Sequence, residues 1–213
     1  MTLKRGDHVC VIYSTTTELV QTVASFLEEG LRANERTWYV ASADESSLIR
    51  TALQDRHINV NGETARGSLQ LLSADDAYVV HGGFDPEATL RIFNGAIEAA
   101  YTDGFTGFRA AAEMSWALDR EDGTYQLIVY EALLQPLFAN CRAIGLCLYD
   151  RARMPLAVIN GALATHPVIG ASGHYGENPF YDSMTDRMPT VDDAQVLTKL
   201  ARLSRSHRST GGV

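Results

Sequence analysis

Short apolar runs alternate with longer segments of helical period along most of the chain, and that alternation predicts a layered α/β domain. Residues 8–13 (HVCVIY) read as a first buried strand, ending where a run of hydroxyls begins. Thr15 and Glu18 have capping-box spacing, and Leu19, Val23, Phe26, Leu27 and Leu31 recur at helical intervals, so a helix follows and ends within 30–34. Residues 36–42 (RTWYVAS) predict the second strand, with a helix from Asp44 to about His57. The polar stretch 59–67 reads as a loop, 68–73 (SLQLLS) as a third strand and 78–83 as a turn-bearing connection. Asp85-Pro86 supplies an N-cap with proline at the first helical position, and Leu90, Phe93, Ile97 and Tyr101 form the stripe behind it.

The fourth strand, 105–112, leads into the sequence FRAAAEMSWALD at 108–119. Small residues suit a central strand packed on both faces, and an acid directly after such a strand stands at its carboxyl end, the edge where open α/β sheets bind ligands. Residues 123–140 predict a helix on which Tyr125, Val129, Ala132 and Leu133 share a face, with Pro136 kinking or restarting it. Residues 143–150 (AIGLCLYD) give a fifth strand, 155–164 a short helix, and 166–169 the start of a sixth strand. Strand-helix alternation of this kind implies a three-layer, largely parallel sheet with helices on both faces. The Gly-, Asn-, Pro- and Tyr-rich segment 172–189 reads as irregular. Residues 190–208 recover an amphipathic helical pattern (Val196, Leu200, Leu203), suited to docking on the domain, to a homodimer or to an output module, and 209–213 as a disordered tail. The expected division is therefore 1–189, 190–208 and 209–213.

Composition narrows the function. A chain of 213 residues, 46% hydrophobic, supports one sizeable core. No apolar segment suits a signal peptide or a membrane span, so a cytoplasmic protein is expected. A net charge of -8 disfavours direct nucleic acid binding. Cys10, Cys141 and Cys147 show no C-x-x-C spacing, which argues for reduced thiols.

Tyr13, Glu113, Trp116, Tyr149 and Asp150 fall at the carboxyl ends of strands one, four and five, and with Ser14, Ser115, Tyr130 and Glu131 they are the expected lining of one cleft for a small organic ligand. The plainer role of these residues is helix capping for the acids and core packing for the aromatics. His8 and Cys10 lie two apart on one strand face and can share a metal with Cys147 or His166, against the ordinary role of buried cysteine as a small hydrophobe; no metal or other cofactor is expected. The first strand-helix turn, Ser14-Thr15-Thr16-Thr17, lacks the glycines and lysine of a phosphate-binding loop, and no nucleophile elbow or catalytic triad spacing occurs, so binding rather than turnover is expected.

The ordered series HVCVIY, GGFDPE (82–87), EMSWAL (113–118), YE (130–131), LCLYD (146–150), THP (165–167) and ENPFY (177–181) resembles the MEDS domain, the sensory domain of methanogen and methylotroph regulators and DcmR. The resemblance implies a RecA/KaiC-like fold without a working phosphate-binding loop. It also implies a prokaryotic signalling role, with simple hydrocarbon derivatives as ligands and kinase-like, anti-sigma-related or DNA-binding outputs. Leu148, where similar sequences often carry a polar residue, and Pro136 depart from the pattern. With no output domain following, a signalling partner or the tail is expected to carry the signal. The alternative is a protein-interaction module of the anti-sigma or kinase-partner type, with a vestigial cleft.

Overall fold

A computed structural model describes residues 1–80, 83–120, 122–171 and 173–182; the expected helix at 190–208 and tail at 209–213 lie outside them. Seven strands form one sheet in the order β3 (Leu69–Leu72), β2 (Arg36–Val40), β6 (Phe108–Glu113), β7 (Ala143–Asp150), β1 (His8–Tyr13), β8 (Val168–Ala171), β9 (His174–Glu177). All neighbouring pairs are parallel except β8 with β9. The β1, β6 and β7 trio is central, and its backbone groups are bonded on both sides, which is why these strands read as continuous apolar runs.

Alternation along the strands divides the core into two layers. Val9, Val11, Tyr39, Ala111, Ile144, Leu146 and Leu148 pack under α1 (Thr16–Arg32), α2 (Ala43–Asp55) and α3 (Val60–Ala65). Cys10, Val40, Phe108, Ala112, Cys147 and Tyr149 pack under α5 (Pro86–Thr102), α6 (Gly123–Asn140) and α7 (Leu156–Thr165). Leu148, one of the two departures from the family pattern, belongs to the α1 layer.

Local signals placed most elements. Thr15 caps α1 by accepting from Glu18 N at 3.2 Å, although the Glu18 carboxylate closes onto Ser14 N at 3.0 Å and not onto the cap residue itself. Asp85 caps α5 through Ala88 N at 3.0 Å. Ser42 and Glu45 form a full capping box on α2. Four expectations change. The loop at 59–67 contains α3, started by Asn59; the connection before α5 contains α4 (Ala74–Tyr78) and a small hairpin of β4 (Val79–Val80) and β5 (Gly83–Phe84); and the irregular segment after β8 begins with β9. Finally, α6 runs through Pro136, and it buries Leu127, Tyr130, Glu131, Leu134 and Phe138, leaving Tyr125 57% and Leu133 40% exposed. No helix among the described residues is long and apolar enough to cross a membrane.

Candidate functional site

The corner after β6 is built as the sequence suggests. Glu113 ends the strand and a 3-10 segment, Met114–Asp119, starts at once, because the Glu113 carboxylate accepts from Ser115 N at 2.9 Å and caps it. The same carboxylate accepts from Ser115 Oγ at 2.7 Å and from Tyr13 Oη at 3.0 Å. Burial pushes its pKa up, and nearby Glu45 adds to this, against the Ser115 and Tyr13 hydrogen bonds that favour the charged form. Burial, together with Glu113, pushes the Tyr13 hydroxyl well up, so it remains a donor.

Beside this corner lies a cleft of about 330 Å³, lined past the carboxyl ends of β2, β3, β6 and β7 by Ser42, Glu45, Asp75, Glu113, Ser115, Trp116, Asp119, Arg120 and Arg153 among others. Trp116 forms a wall, stacked on Tyr78 with ring centroids 4.5 Å apart, and the Arg120 guanidinium lies 5.7 Å from the Trp116 ring while pairing with Asp75. Carboxylates outnumber guanidinium groups around this space, which therefore favours neutral or cationic guests over anions.

The expected site residues separate into two groups, because residues one apart on a strand face opposite layers. Glu113, Ser115 and Trp116 line the cleft, and Tyr13 braces Glu113 from behind. Ser14 sits in the β1–α1 turn with its N–H bonded to Glu18 Oε2, so a carboxylate occupies the helix terminus where a phosphate group would bind. Asp150 caps its own turn through Ala152 N at 2.8 Å. Tyr130, Glu131 and Tyr149 lie away from the cleft, buried between sheet and helices.

Glu131 is fully buried and receives Tyr149 Oη on Oε1 at 2.7 Å. Its other oxygen, Oε2, lies 3.1 Å from His8 Nε2, 3.3 Å from His166 Nε2 and 3.6 Å from Cys147 Sγ. The His8 and His166 rings are 3.9 Å apart. Burial lowers the His8 pKa to about 4, and the neighbouring His166 adds to that, so His8 is neutral over most of the pH range. Burial alone would raise Glu131; the imidazoles of His166 and His8 outweigh it and hold the carboxylate ionised. Cys10, paired in register with Cys147, is buried in the same layer but stands outside the group of converging donor atoms.

The sequence model of the "MEthanogen/methylotroph, DcmR Sensory domain" matches residues 7–167. The chain belongs to the MEDS family. No curated protein matches it. Among solved structures, a KaiC-like protein, PH0186, from the hyperthermophilic archaeon Pyrococcus horikoshii OT3 is similar at 11% identity with a TM-score of 0.52, covering 78% of this chain and 70% of that one. This MEDS domain therefore has a KaiC-like α/β fold and belongs to a family of sensory domains.

Several cleft residues of the MEDS domain were not singled out in the sequence. Ser42 and Glu45 follow the carboxyl end of β2, and Ala74 and Asp75 that of β3, so the edge argument applied to Glu113 would have found them. Arg153, three residues past the carboxyl end of β7, falls under the same argument.

Proposed function

We propose that this MEDS domain is a non-enzymatic sensor that binds a small neutral or cationic organic molecule in the cleft beside Glu113, Ser115 and Trp116. The observation that carries the reading is the β6 corner: a capped carboxylate, a hydroxyl and an indole wall opening together into one space at the carboxyl edge of the sheet. Its volume sits at the small end of the range of about 300–1,000 Å³ found for small-molecule sites. The acidic lining selects short alcohols, halogenated one-carbon compounds and methylated amines over organic acids. Ser115 Oγ donates to a carboxylate that, among the described residues, has no imidazole bonded to it, which suits holding a ligand better than activating a nucleophile. The signal leaves through a protein partner or through residues 190–208, in a cytoplasmic regulatory system that acts on transcription or on a signalling protein.

A thermal-shift screen of those compound classes tests this. A binder stabilises by mass action, by about 2.7 kcal/mol at a hundred times its Kd. Trp116→Ala and Glu113→Gln, each compared with its own ligand-free midpoint, should abolish the rise. A rise of equal size in both variants places the ligand elsewhere.

A second reading, a protein-interaction module, draws on the exposed Tyr125 and Leu133 on α6. Co-purification of partners with Tyr125→Ser/Leu133→Ser variants, and with residues 190–213 removed, separates it from ligand sensing.

A further inference from the structure

The second polar group has a geometry of its own, independent of the cleft. His8 opens β1, Cys147 lies on the adjacent strand β7, Glu131 reaches in from α6, and His166 closes α7. Four elements thus deliver one donor atom each to a single point, and all of these atoms lie within 4.8 Å of one another.

Four of the six separations are close to the edges of a coordination tetrahedron. Zinc bonds of about 2.0–2.1 Å to nitrogen or oxygen and about 2.3 Å to sulfur imply edges of about 3.3–3.4 Å between N and O donors and about 3.5–3.6 Å to sulfur. The contacts of Glu131 Oε2 with His8 and His166 are 3.1 and 3.3 Å, and those of Cys147 Sγ with His8 and Glu131 are 3.4 and 3.6 Å. The two histidine-glutamate contacts fall within ion-pair distance, yet among the described residues His166 Nε2 makes no in-line hydrogen bond.

The hydrogen inventory points the same way. His166 Nδ1 lies 2.8 Å from the Ala162 carbonyl, which only accepts, so Nδ1 carries a ring hydrogen and Nε2 is the atom turned toward the Glu131 carboxylate. In a fully buried site that facing pair needs a positive charge between its members, either a ring proton on Nε2 or a metal ion. The Cys147 S–H offers one hydrogen to two neighbours, His8 Nε2 and Glu131 Oε2. The surroundings of His166 and Glu131 also match those of metal ligands: the Ala162 carbonyl orients His166 and the Tyr149 hydroxyl anchors the free oxygen of Glu131.

We propose that His8, Glu131, Cys147 and His166 bind a divalent first-row transition ion, with zinc favoured by the mixed nitrogen, sulfur and oxygen donors. Four protein ligands leave no open position, so the ion is structural: it ties β1 and β7 to α6 and α7. Binding releases the Cys147 thiol proton to solvent and leaves the thiolate on the metal. The ion enters during folding, since the site is closed to water in the folded domain.

The test uses the full chain, produced without a histidine tag and refolded from chelator with either zinc or cobalt(II). Elemental analysis after gel filtration should find about one metal per chain, and the cobalt form should show a thiolate-to-metal charge-transfer band with intense tetrahedral d–d bands. Cys147→Ser and His166→Gln should each cut retained metal about ten-fold, while Cys10→Ser and Cys141→Ser keep it. If either ligand variant fails to fold, the cobalt spectrum of the wild-type chain still decides the matter through its thiolate band. Retention below about a tenth of an equivalent, a cobalt spectrum without a thiolate band, or unchanged retention in folded Cys147→Ser would overturn the proposal, and the cluster would then be a proton-sharing network.

Discussion

Tyr13 Oη donates to Glu113 Oε1 at 3.0 Å across strands that are not neighbours. β7 lies between them, and the β7 residue in register with both Glu113 and Val11 is Leu148. The bond therefore spans an apolar side chain at the carboxyl edge and fixes the carboxylate that caps the β6 corner. The lining of the cleft rests on this brace.

Tyr13→Phe removes the hydroxyl and leaves Glu113 with its Ser115 bonds. We expect a loss of about 1–2 kcal/mol, the usual range for a buried hydrogen bond to a charged or polar acceptor. Urea unfolding of the variant measures it, and a change below about 0.3 kcal/mol would show that the brace is unimportant for stability.

The Glu113 carboxyl titrates above its unfolded value of 4.5, with burial as the leading cause. Between those two values the folded state holds more protons than the unfolded one, so this residue's contribution is fully present below pH 4.5 and is lost as pH rises through the folded value. Glu113→Gln should therefore gain stability relative to wild type as pH is raised from acid to neutral. A difference that stays flat, or that runs the other way, would mean that the hydrogen bonds outweigh burial.

Gly145 on β7 faces Phe138 so closely that an added Cβ would lie 2.3 Å from Phe138 Cζ. Gly145→Ala should cost about 1–3 kcal/mol or more by overpacking. Combining it with Phe138→Leu should cost less than the sum of the two single changes, since both act on one space. Additive losses in denaturant unfolding would exclude that contact as the cause.

Arg109 is buried on β6, bonded through Nε to buried Glu35 and through Nη1 to Glu29 at 3.1 Å, over the Phe26 ring at 5.1 Å. Arg109→Leu leaves Glu35 buried and unpaired, with an expected loss of about 3–5 kcal/mol. Adding Glu35→Leu should restore most of it. A double mutant as unstable as Arg109→Leu alone would show that packing, rather than charge, carries the effect.

Short-range chemistry made much of this fold legible in the sequence. The strand HVCVIY, the Thr15 and Asp85 caps and the run AIGLCLYD are local patterns whose meaning does not depend on distant residues, and β1, α1, α5 and β7 follow from them. The placement of Glu113 at a ligand-binding edge was likewise readable, because a strand's carboxyl end is fixed by chain direction. The irregular 59–67 and 78–83 segments gave weaker signals because α3 and the β4–β5 hairpin are too short to establish a period. On α6 the apolar residues lie on several sides, so periodicity chose the Tyr125–Leu133 face, while tertiary packing buried the Tyr130, Glu131 and Leu134 face instead. The sequence also determined that His8 and Cys10 share a strand face. It did not determine that β1 would lie between β7 and β8, which is what brings Cys147 and His166 beside His8 and leaves Cys10 outside the group. Strand order is a property of long-range pairing, and only that pairing decided that Tyr13 and Tyr149, two aromatic strand ends in one sequence pattern, would serve opposite layers of the sheet.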